Sequence, residues 1–407
     1  MSNPVVSVII PNYNQARYLG EAIQSVLDQT YRSFEIVVVD DGSTDNSREL
    51  VSLFGGKVRY LWQENQGLGA ARNQGILAAR GEIIGLLDAD DEWHPAFLEK
   101  MVSLAAQHPR ATVFYCGAQT MDEDGRELPQ QLGGPAIPPE TIYQKILRAN
   151  FLIPSTILMR RSVLMAAGMF EQSIRSIHGC EDWDLWLRLL PKHLFVGAQK
   201  CLVRYRLHGE SLSTNSARMK QAVQAVIEKN FGLDDGEWHN WTDDKKRAYG
   251  GIYRYQLLAT VFHESDWEAG ACYLRRGLQI DRTLATDLGL FYDLALGTQP
   301  LGHRGTTYQL DLEGNALRVR SLLREVFESC PTLGLRALHR PALGTAQYAL
   351  GLIAYNTGQP SLSRHFFISA LYYRPELFRD TLLMSDLMKS SVNRLWLKKM
   401  KVCADKG

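Results

Sequence analysis

Residues able to do chemistry, an aromatic ring and a set of carboxylates, collect at three places near the start of the chain, each directly after an apolar run. Val5–Ile10 is followed by Pro11-Asn12-Tyr13-Asn14, Glu35–Val39 by Asp40-Asp41-Gly42-Ser43-Thr44-Asp45, and Ile83–Leu87 by Asp88-Ala89-Asp90-Asp91. Three carboxylates within four residues repel one another, and in a partly buried site one pKa must rise unless a cation neutralises them. A divalent ion with hard oxygen ligands, Mn2+ or Mg2+, answers that need and is commonly shared with substrate phosphates. The plainer alternative is a solvated acidic turn that caps a helix starting near Pro95. Asp40 and Asp41 have a plain reading too, since Ser43, Asp45 and Asn46 are natural helix caps. Two adjacent acids exceed what a cap requires, however. One carboxylate can accept a hydrogen bond from the edge of a base, and Tyr13 offers a ring to lie against it.

The apolar runs that carry these groups read as strands. Val5–Ile10, Glu35–Val39, Val58–Trp62 and Ile83–Leu87 are uniformly apolar or β-branched, which suits strands covered on both faces. Between them, Tyr18, Ala22, Val26 and Leu27 mark one helical face, and Ala70, Ala71, Ile76 and Ala79 another. Strand and helix in this alternation predict an α/β domain, with its chemistry at the carboxyl ends of the strands. Gly67-Leu68-Gly69-Ala70-Ala71-Arg72 imitates a dinucleotide fingerprint, but Arg72 stands where the third glycine belongs and no clean strand feeds it. The stretch works better as a helix start that carries Arg72 and Asn73 toward an anionic ligand.

The 407 residues predict two domains. Lys and Arg total 45 against 44 Asp and Glu, a net charge of +1, which argues against a nucleic-acid partner bound through overall charge. No apolar stretch approaches the ~18 residues of a membrane span, and the start of the chain lacks a signal-peptide pattern. Six cysteines without a C-x-x-C pair predict a reduced, cytoplasmic protein with no disulfide framework. Past residue 215 the pattern turns helical, so the expected domains are 1–215 and 216–407. Leu128–Pro139 reads as a loop, and Gly297–Thr306 as a connector between helices. Leu350, Gly351, Phe367, Ala370 and Pro375 sit at the spacings of a tetratricopeptide hairpin, and Leu258, Trp267, Leu274, Gly277 and Asp281 overlay on them less closely.

In order and spacing, six segments resemble a family 2 glycosyltransferase of the GT-A fold. They are Val6–Asn14, Val37–Asp45, Glu64–Gly75, Leu87–Asp91, the Glu-Asp segment Cys180–Trp186 and the R-x-H-x-x-S segment within Tyr205–Ser213. They span about half the chain and leave the helical half uncovered. The fold implied is α/β, a mixed, mostly parallel sheet with helices on both faces, followed by an all-helical domain. The activity implied is transfer of a sugar from a nucleoside-diphosphate sugar, a UDP-sugar by preference, to an acceptor hydroxyl with inversion, and of hexosyltransferase type. The resemblance places Pro11 and Tyr13 along the base, Asp41 in a hydrogen bond to it, Arg72 near base or diphosphate, and Asp88 toward the ribose. It gives Asp90, with Asp91, to a Mn2+ or Mg2+ ion, brings His208 to the metal or the diphosphate, and makes Asp182 the general base with Glu181 beside it.

This chemistry is coherent by itself. The leaving diphosphate gains negative charge that cations stabilise, and an inverting displacement needs one base and no protein nucleophile. A carboxylate at a helix N-terminus, where Glu181-Asp182 opens an amphipathic run, is helped to stay ionised by the macrodipole. Trp183 is a modest candidate to stack an acceptor sugar. The Q-x-x-R-W motif and the membrane helices of processive members are missing, which predicts a non-processive enzyme of bacterial surface or secreted polysaccharide. The expected partners are a glycan or lipid-linked acceptor, with a protein partner or peripheral contact at the inner membrane face through the helical half. Asn393–Lys401, rich in Lys and Arg beside Leu395, Trp396 and Leu397, is the segment suited to an anionic membrane. Two other readings compete. One is a sugar nucleotidyltransferase, which would carry a Gly-rich basic loop after the first strand. The other is a scaffold with a degenerate transferase domain, against which the intact acids speak.

Overall fold

Val6–Asn12 forms the first strand, β1, and every residue in it is buried, as the run of β-branched side chains requires of a strand covered on both faces. In this computed structural model, residues 5–133, 137–172, 179–209, 216–328, 334–380 and 383–386 are described. After β1 come α1 (Ala16–Leu27), β2 (Phe34–Asp40), α2 (Ser47–Ser52), β3 (Val58–Trp62), α3 (Leu68–Ala78) and β4 (Ile83–Leu86). The four strands pair in parallel in the order β3-β2-β1-β4. The register sets Asn12 opposite Asp40 and Asp40 opposite Trp62, so the strand ends lie level. Pro11, Asp41 and Asp88 are thereby delivered to one edge of the sheet.

The sheet then continues with strands that the apolar runs did not mark. These are β5 (Glu92–Trp93), β6 (Val113–Met121), β7 (Glu127–Leu132), β8 (Ile157–Arg160) and β9 (Phe195–Arg206), interleaved with α4 (Phe97–Gln107), α5 (Pro139–Ile146), α6 (Arg161–Ala166) and α7 (Glu181–Leu189). The complete order is β3-β2-β1-β4-β8-β6-β9-β5, with β7 beside β6. β8 runs antiparallel to both β4 and β6, and β6 runs parallel to β9, so the sheet is mixed. The stretch from Leu128 to Pro139, expected as a loop, begins in β7 and ends at the first residue of α5. Alternating half-burial along β7 is the pattern of an edge strand rather than an apolar run.

Both faces of the sheet are covered. Val8, Ile10, Ile36 and Val38 join Leu19, Ile23 and Val26 of α1 in one apolar cluster. On the other face α3 lies so close that a Cβ placed on Gly75 would come within 2.3 Å of Ile9 Cγ2 and 3.2 Å of Val39 Cγ2. The missing side chain is what lets α3, and Arg72 on it, approach the strand ends.

The chain divides into two compact units, 1–237 and 238–407. The first therefore extends past the expected boundary at 215 and includes α8 (Ser216–Phe231). Electrostatics account for this. Asp184 of α7 is fully buried, and α8 supplies Lys229 Nζ at 2.8 Å and the Asn230 Nδ2 donor at 2.9 Å to its Oδ1.

Every regular element among the described residues of the second unit is helical, with α9 (Asp243–Ala259), α10 (Trp267–Ile280), α11 (Leu288–Leu296), α12 (Leu312–Glu328), α13 (Arg336–Asn356) and α14 (Pro360–Tyr373) the α-helices. Side chains of Thr242, Asp266 and Asp287 cap α9, α10 and α11 by accepting from the backbone three residues on. α13 and α14 form the hairpin expected from the tetratricopeptide spacing, and a Cβ on Gly351 would meet the Phe367 ring at 2.4 Å. Gly297–Thr306 connects α11 to α12 as expected. The basic segment Asn393–Lys401 lies outside the described residues. No described helix is long and apolar enough to cross a membrane.

The tight approach of α3 makes a direct prediction. Gly75→Ala should destabilise the protein by ~1–3 kcal/mol through overpacking. Gly56→Ala, which would meet nothing within 4 Å, serves as the control. Denaturant unfolding reads the difference, and equal midpoints for the two variants would refute close packing at α3.

Candidate active site

Each strand end holds its loop through its own acids. Asp40 Oδ1 accepts from Ser43 N (2.8 Å), and its Oδ2 accepts from the Tyr60 hydroxyl (2.6 Å). Asp41, which was expected to bond a base, is buried and already engaged. Its Oδ1 accepts from Gln63 Nε2 (2.6 Å) and Gln66 N (3.0 Å), and its Oδ2 from Gly67 N (2.8 Å). It therefore anchors the loop that leads into α3. Pro11 is buried at the end of β1, while Tyr13, just past it, is 48% exposed.

Arg72 lies deeper than its expected place near base or diphosphate. Its side chain is 2% exposed, and it bridges Asp88 Oδ1 (NH2, 2.7 Å) and Glu181 Oε1 (NH1, 3.0 Å). Burial opposes its charge, but Asp88 and Glu181 outweigh that and raise its pKa. The guanidinium also sits 5.3 Å from the Phe170 ring centroid. Arg72 thus joins α3, the end of β4 and the start of α7. The other oxygen of Glu181 accepts from Gly179 N (2.7 Å), so both of its oxygens are engaged.

Asp182, the next residue, differs in its partners. Its Oδ2 accepts from Asn150 Nδ2 (2.7 Å) and its Oδ1 from Trp183 N (2.7 Å), both neutral donors. Only 8% of the residue is exposed. Burial, followed by the Glu181 charge, pushes its carboxyl up to about 7, against the pull of Arg72 and of the two donors. A carboxylate that titrates near neutrality can take a proton and release it again. The Cys180 thiol beside it is pushed up by burial and by these two acids, so it is no nucleophile. Trp183 is core rather than a sugar platform, with 3% exposure and its indole N–H donating to the Ile146 carbonyl (2.7 Å).

Asp90 and His208 meet across 118 residues of sequence, with His208 Nε2 2.9 Å from Asp90 Oδ2. Arg206 brings them together. Buried under the Tyr18 ring, it donates Nε to the Asp90 carbonyl (2.9 Å) and NH2 to Glu21 and Glu92. It thereby pins the end of β9 to the acidic turn, and His208 follows two residues later. Asp91 faces inward instead. Its Oδ2 accepts from the Ser155 hydroxyl (2.5 Å) and its Oδ1 from Arg206 N (3.0 Å). Burial, with Asp90 and Asp88, pushes its carboxyl well above the usual range.

Asp90 and His208 form a pair of donors, one oxygen and one nitrogen. Among the described residues no group of three or more His, Cys, Asp or Glu is arranged to hold a metal. An oxygen–nitrogen pair still fits a divalent ion that draws its remaining ligands from a diphosphate and water.

The expected site residues therefore separate into three sets. Asp90 pairs with His208, and Arg72, Asp88 and Glu181 form one buried cluster with Asp182 at its edge. Asp41 and Asp91 instead brace the loops around them. Asn150, Ser155 and Arg206 carry functions that their own residue types did not announce. Only the two-residue spacing from Arg206 to His208 was a usable signal.

The family model for glycosyl transferase family 2 matches residues 7–168. An uncharacterized glycosyltransferase of Rickettsia typhi is 32% identical over 280 residues, covering 63% of this chain and 85% of that protein. One from Nostoc is 52% identical over 242 residues, covering 55% and 72%. TuaG of Bacillus subtilis, named as a candidate teichuronic acid biosynthesis glycosyltransferase, is 32% identical over 218 residues, covering 52% and 82%. With relatives at this identity matched over most of their length, and with strand-end acids and a Glu-Asp helix start where such an enzyme needs them, the chain belongs to glycosyltransferase family 2.

Proposed function

We propose that this enzyme moves a sugar from a nucleoside-diphosphate sugar to an acceptor hydroxyl in one metal-dependent inverting displacement, adding one or a few sugars to a surface or secreted polysaccharide. The observation that carries the reading is Asp182, a nearly buried carboxylate at a helix N-terminus with a pKa of about 7 and neutral hydrogen-bond partners. TuaG's naming for teichuronic acid biosynthesis supports a polysaccharide product.

In this reading Asp182 takes the proton of the acceptor hydroxyl as that oxygen attacks the anomeric carbon. Each of its oxygens accepts one hydrogen bond from the protein and keeps a lone pair free. Tyr13 lines the base and Asp88 faces the ribose, with Arg72 limiting the charge that Asp88 adds to the crevice. Asp90 and His208 would hold a divalent ion, and their mixed oxygen and nitrogen set suits Mn2+ better than Mg2+. When bound, the ion supplies Lewis-acid stabilisation of the charge on the departing diphosphate.

The test begins with nucleotides. UDP, dTDP and GDP are titrated with and without Mn2+, and the corresponding sugar nucleotides are then assayed for metal-dependent hydrolysis. At least one diphosphate should bind more tightly with Mn2+; if none does, the reading fails. Asp90→Ala should abolish that metal enhancement, and an unchanged enhancement would remove Asp90 from the metal site.

Asp182→Asn should lower turnover ~10^2–10^4-fold with donor binding nearly intact. Equal loss of binding and turnover would make Asp182 structural. The pH profile of kcat/KM should rise with pH and level off above an apparent pKa near 7, because the base works ionised. The same shift sets a stability trend. The folded pKa lies above the unfolded value of 3.8, so protonated Asp182 favours folding at low pH, and this contribution disappears as pH rises through about 7. Asp182→Asn should therefore gain stability relative to the parent between about pH 4 and 7. A constant difference across that range would contradict the elevated pKa.

A further inference from the structure

We propose that Asn150 is a positioning residue for the transfer step, clamping the Asp182 carboxylate in the orientation from which it receives the acceptor proton. The proposal rests on the reading of Asp182 as the base. Asn150 lies on the segment between α5 and β8, outside every motif the sequence offered. Its Nδ2 donates to Asp182 Oδ2 at 2.7 Å, and its own Oδ1 accepts from Leu152 N at 3.2 Å. The second bond decides which end of the amide faces Asp182, because the oxygen is already committed to a backbone N–H. Leu152 is only 2% exposed, so the tether is rooted in the core.

A parallel strut stiffens the same seam. Trp183 Nε1 donates to the Ile146 carbonyl at the end of α5, which ties that helix to the start of α7. With Trp183 N on Oδ1 and Asn150 on Oδ2, the plane of the carboxylate is fixed from both sides. Asn150 itself is exposed while Asp182 is nearly buried, so the clamp reaches the carboxylate from the protein surface.

The residue type suits this task. A lysine or arginine here would make an ion pair and hold Asp182 too acidic to act as a base near neutral pH, whereas an aspartate would repel it. An amide donates one hydrogen bond without charge, so it steadies the ionised form only modestly. Among the described residues, the charged and titratable groups that act on Asp182 are Glu181 and Cys180 at its own helix end and Arg72 from α3. Beyond Arg72 stands Asp88 at the end of β4. α5 meets the start of α7 through the Ile146 carbonyl, and Lys229 of α8 bonds Asp184 and Glu171. Asn150 is thus the one neutral side chain that bonds this carboxylate among the described residues.

The test compares the full-length enzyme with Asn150→Ala, Asn150→Ser and Asn150→Asp. Aspartate-labelled 13C NMR follows the Asp182 carboxyl, its resonance identified by loss in Asp182→Asn. Hydrolysis of UDP-glucose, UDP-N-acetylglucosamine and the other sugar nucleotides with Mn2+ gives the pH profile of kcat in parallel. Removing the donor should raise the Asp182 midpoint by about one pH unit, move the acid limb of kcat with it, and leave the donor KM unchanged. Asn150→Asp should raise the midpoint further than alanine does. Serine is too short to bridge and should resemble alanine, which covers the case in which alanine disturbs the loop. Midpoints and limbs equal to the parent in all three variants would overturn the role of Asn150. Full hydrolysis by Asp182→Asn would instead remove the base reading, and this proposal with it.

Discussion

The catalytic half of this enzyme is organised around one buried guanidinium. Arg72 has almost no contact with solvent, and its charge is matched by Asp88 on one side and Glu181 on the other. Such a group permits little rearrangement. Removing the guanidinium would leave Asp88 and Glu181 without their shared counter-charge, a loss of about 3–5 kcal/mol. Three chain segments must therefore meet where they do, namely the helix entered through the Gln63–Gly67 loop, the end of the fourth strand, and the start of the Glu-Asp helix. The loop is set by Asp41, the close approach of the helix by Gly75, and the helix start by Gly179 and Glu181.

The same cation separates the roles of two neighbouring acids. Glu181 takes the guanidinium and a backbone amide and is committed to holding the fold. Asp182 is left with neutral donors, a buried position and a negative neighbour, and its carboxyl rises to about 7. In the proposed reaction two adjacent carboxylates thus acquire different tasks from their surroundings alone, which is how acid and base roles are generally divided in enzyme sites. At the acidic turn, Arg206 does comparable work. It fixes the acidic turn to the last strand and so brings His208 to Asp90.

Much of this was legible in the sequence, and the remainder was hidden for identifiable reasons. β1 to β4 were readable because both their faces are covered, so each is a continuous apolar run. β7 and β9 carry polar residues on partly exposed faces, and β6 shifts register against β9 near Gly117, so neither periodicity nor apolarity marked them. Acids at strand ends were visible because they are local in sequence. Their partners were not. The bond from Arg72 to Glu181 spans 109 residues, that from Ser155 to Asp91 spans 64, and that from Asn150 to Asp182 spans 32. Asp91 therefore looked equivalent to Asp90, and only the fold turns it inward to Ser155 and the Arg206 amide. Arg72 looked like a ligand for phosphate because nothing in its own segment announced two buried carboxylates.

In the proposed site one cation couples the nucleotide side of the crevice, through Asp88, to the base side, through Glu181 and Asp182. Arg72→Lys tests it most directly, since an ammonium keeps the charge but cannot fork to both carboxylates in the guanidinium's geometry. The measurement is nucleoside-diphosphate affinity in Mn2+ together with the Asp182 titration, both on the same protein. The two should change together, with weaker nucleotide binding and a higher Asp182 midpoint. Parental values for both would contradict the coupling.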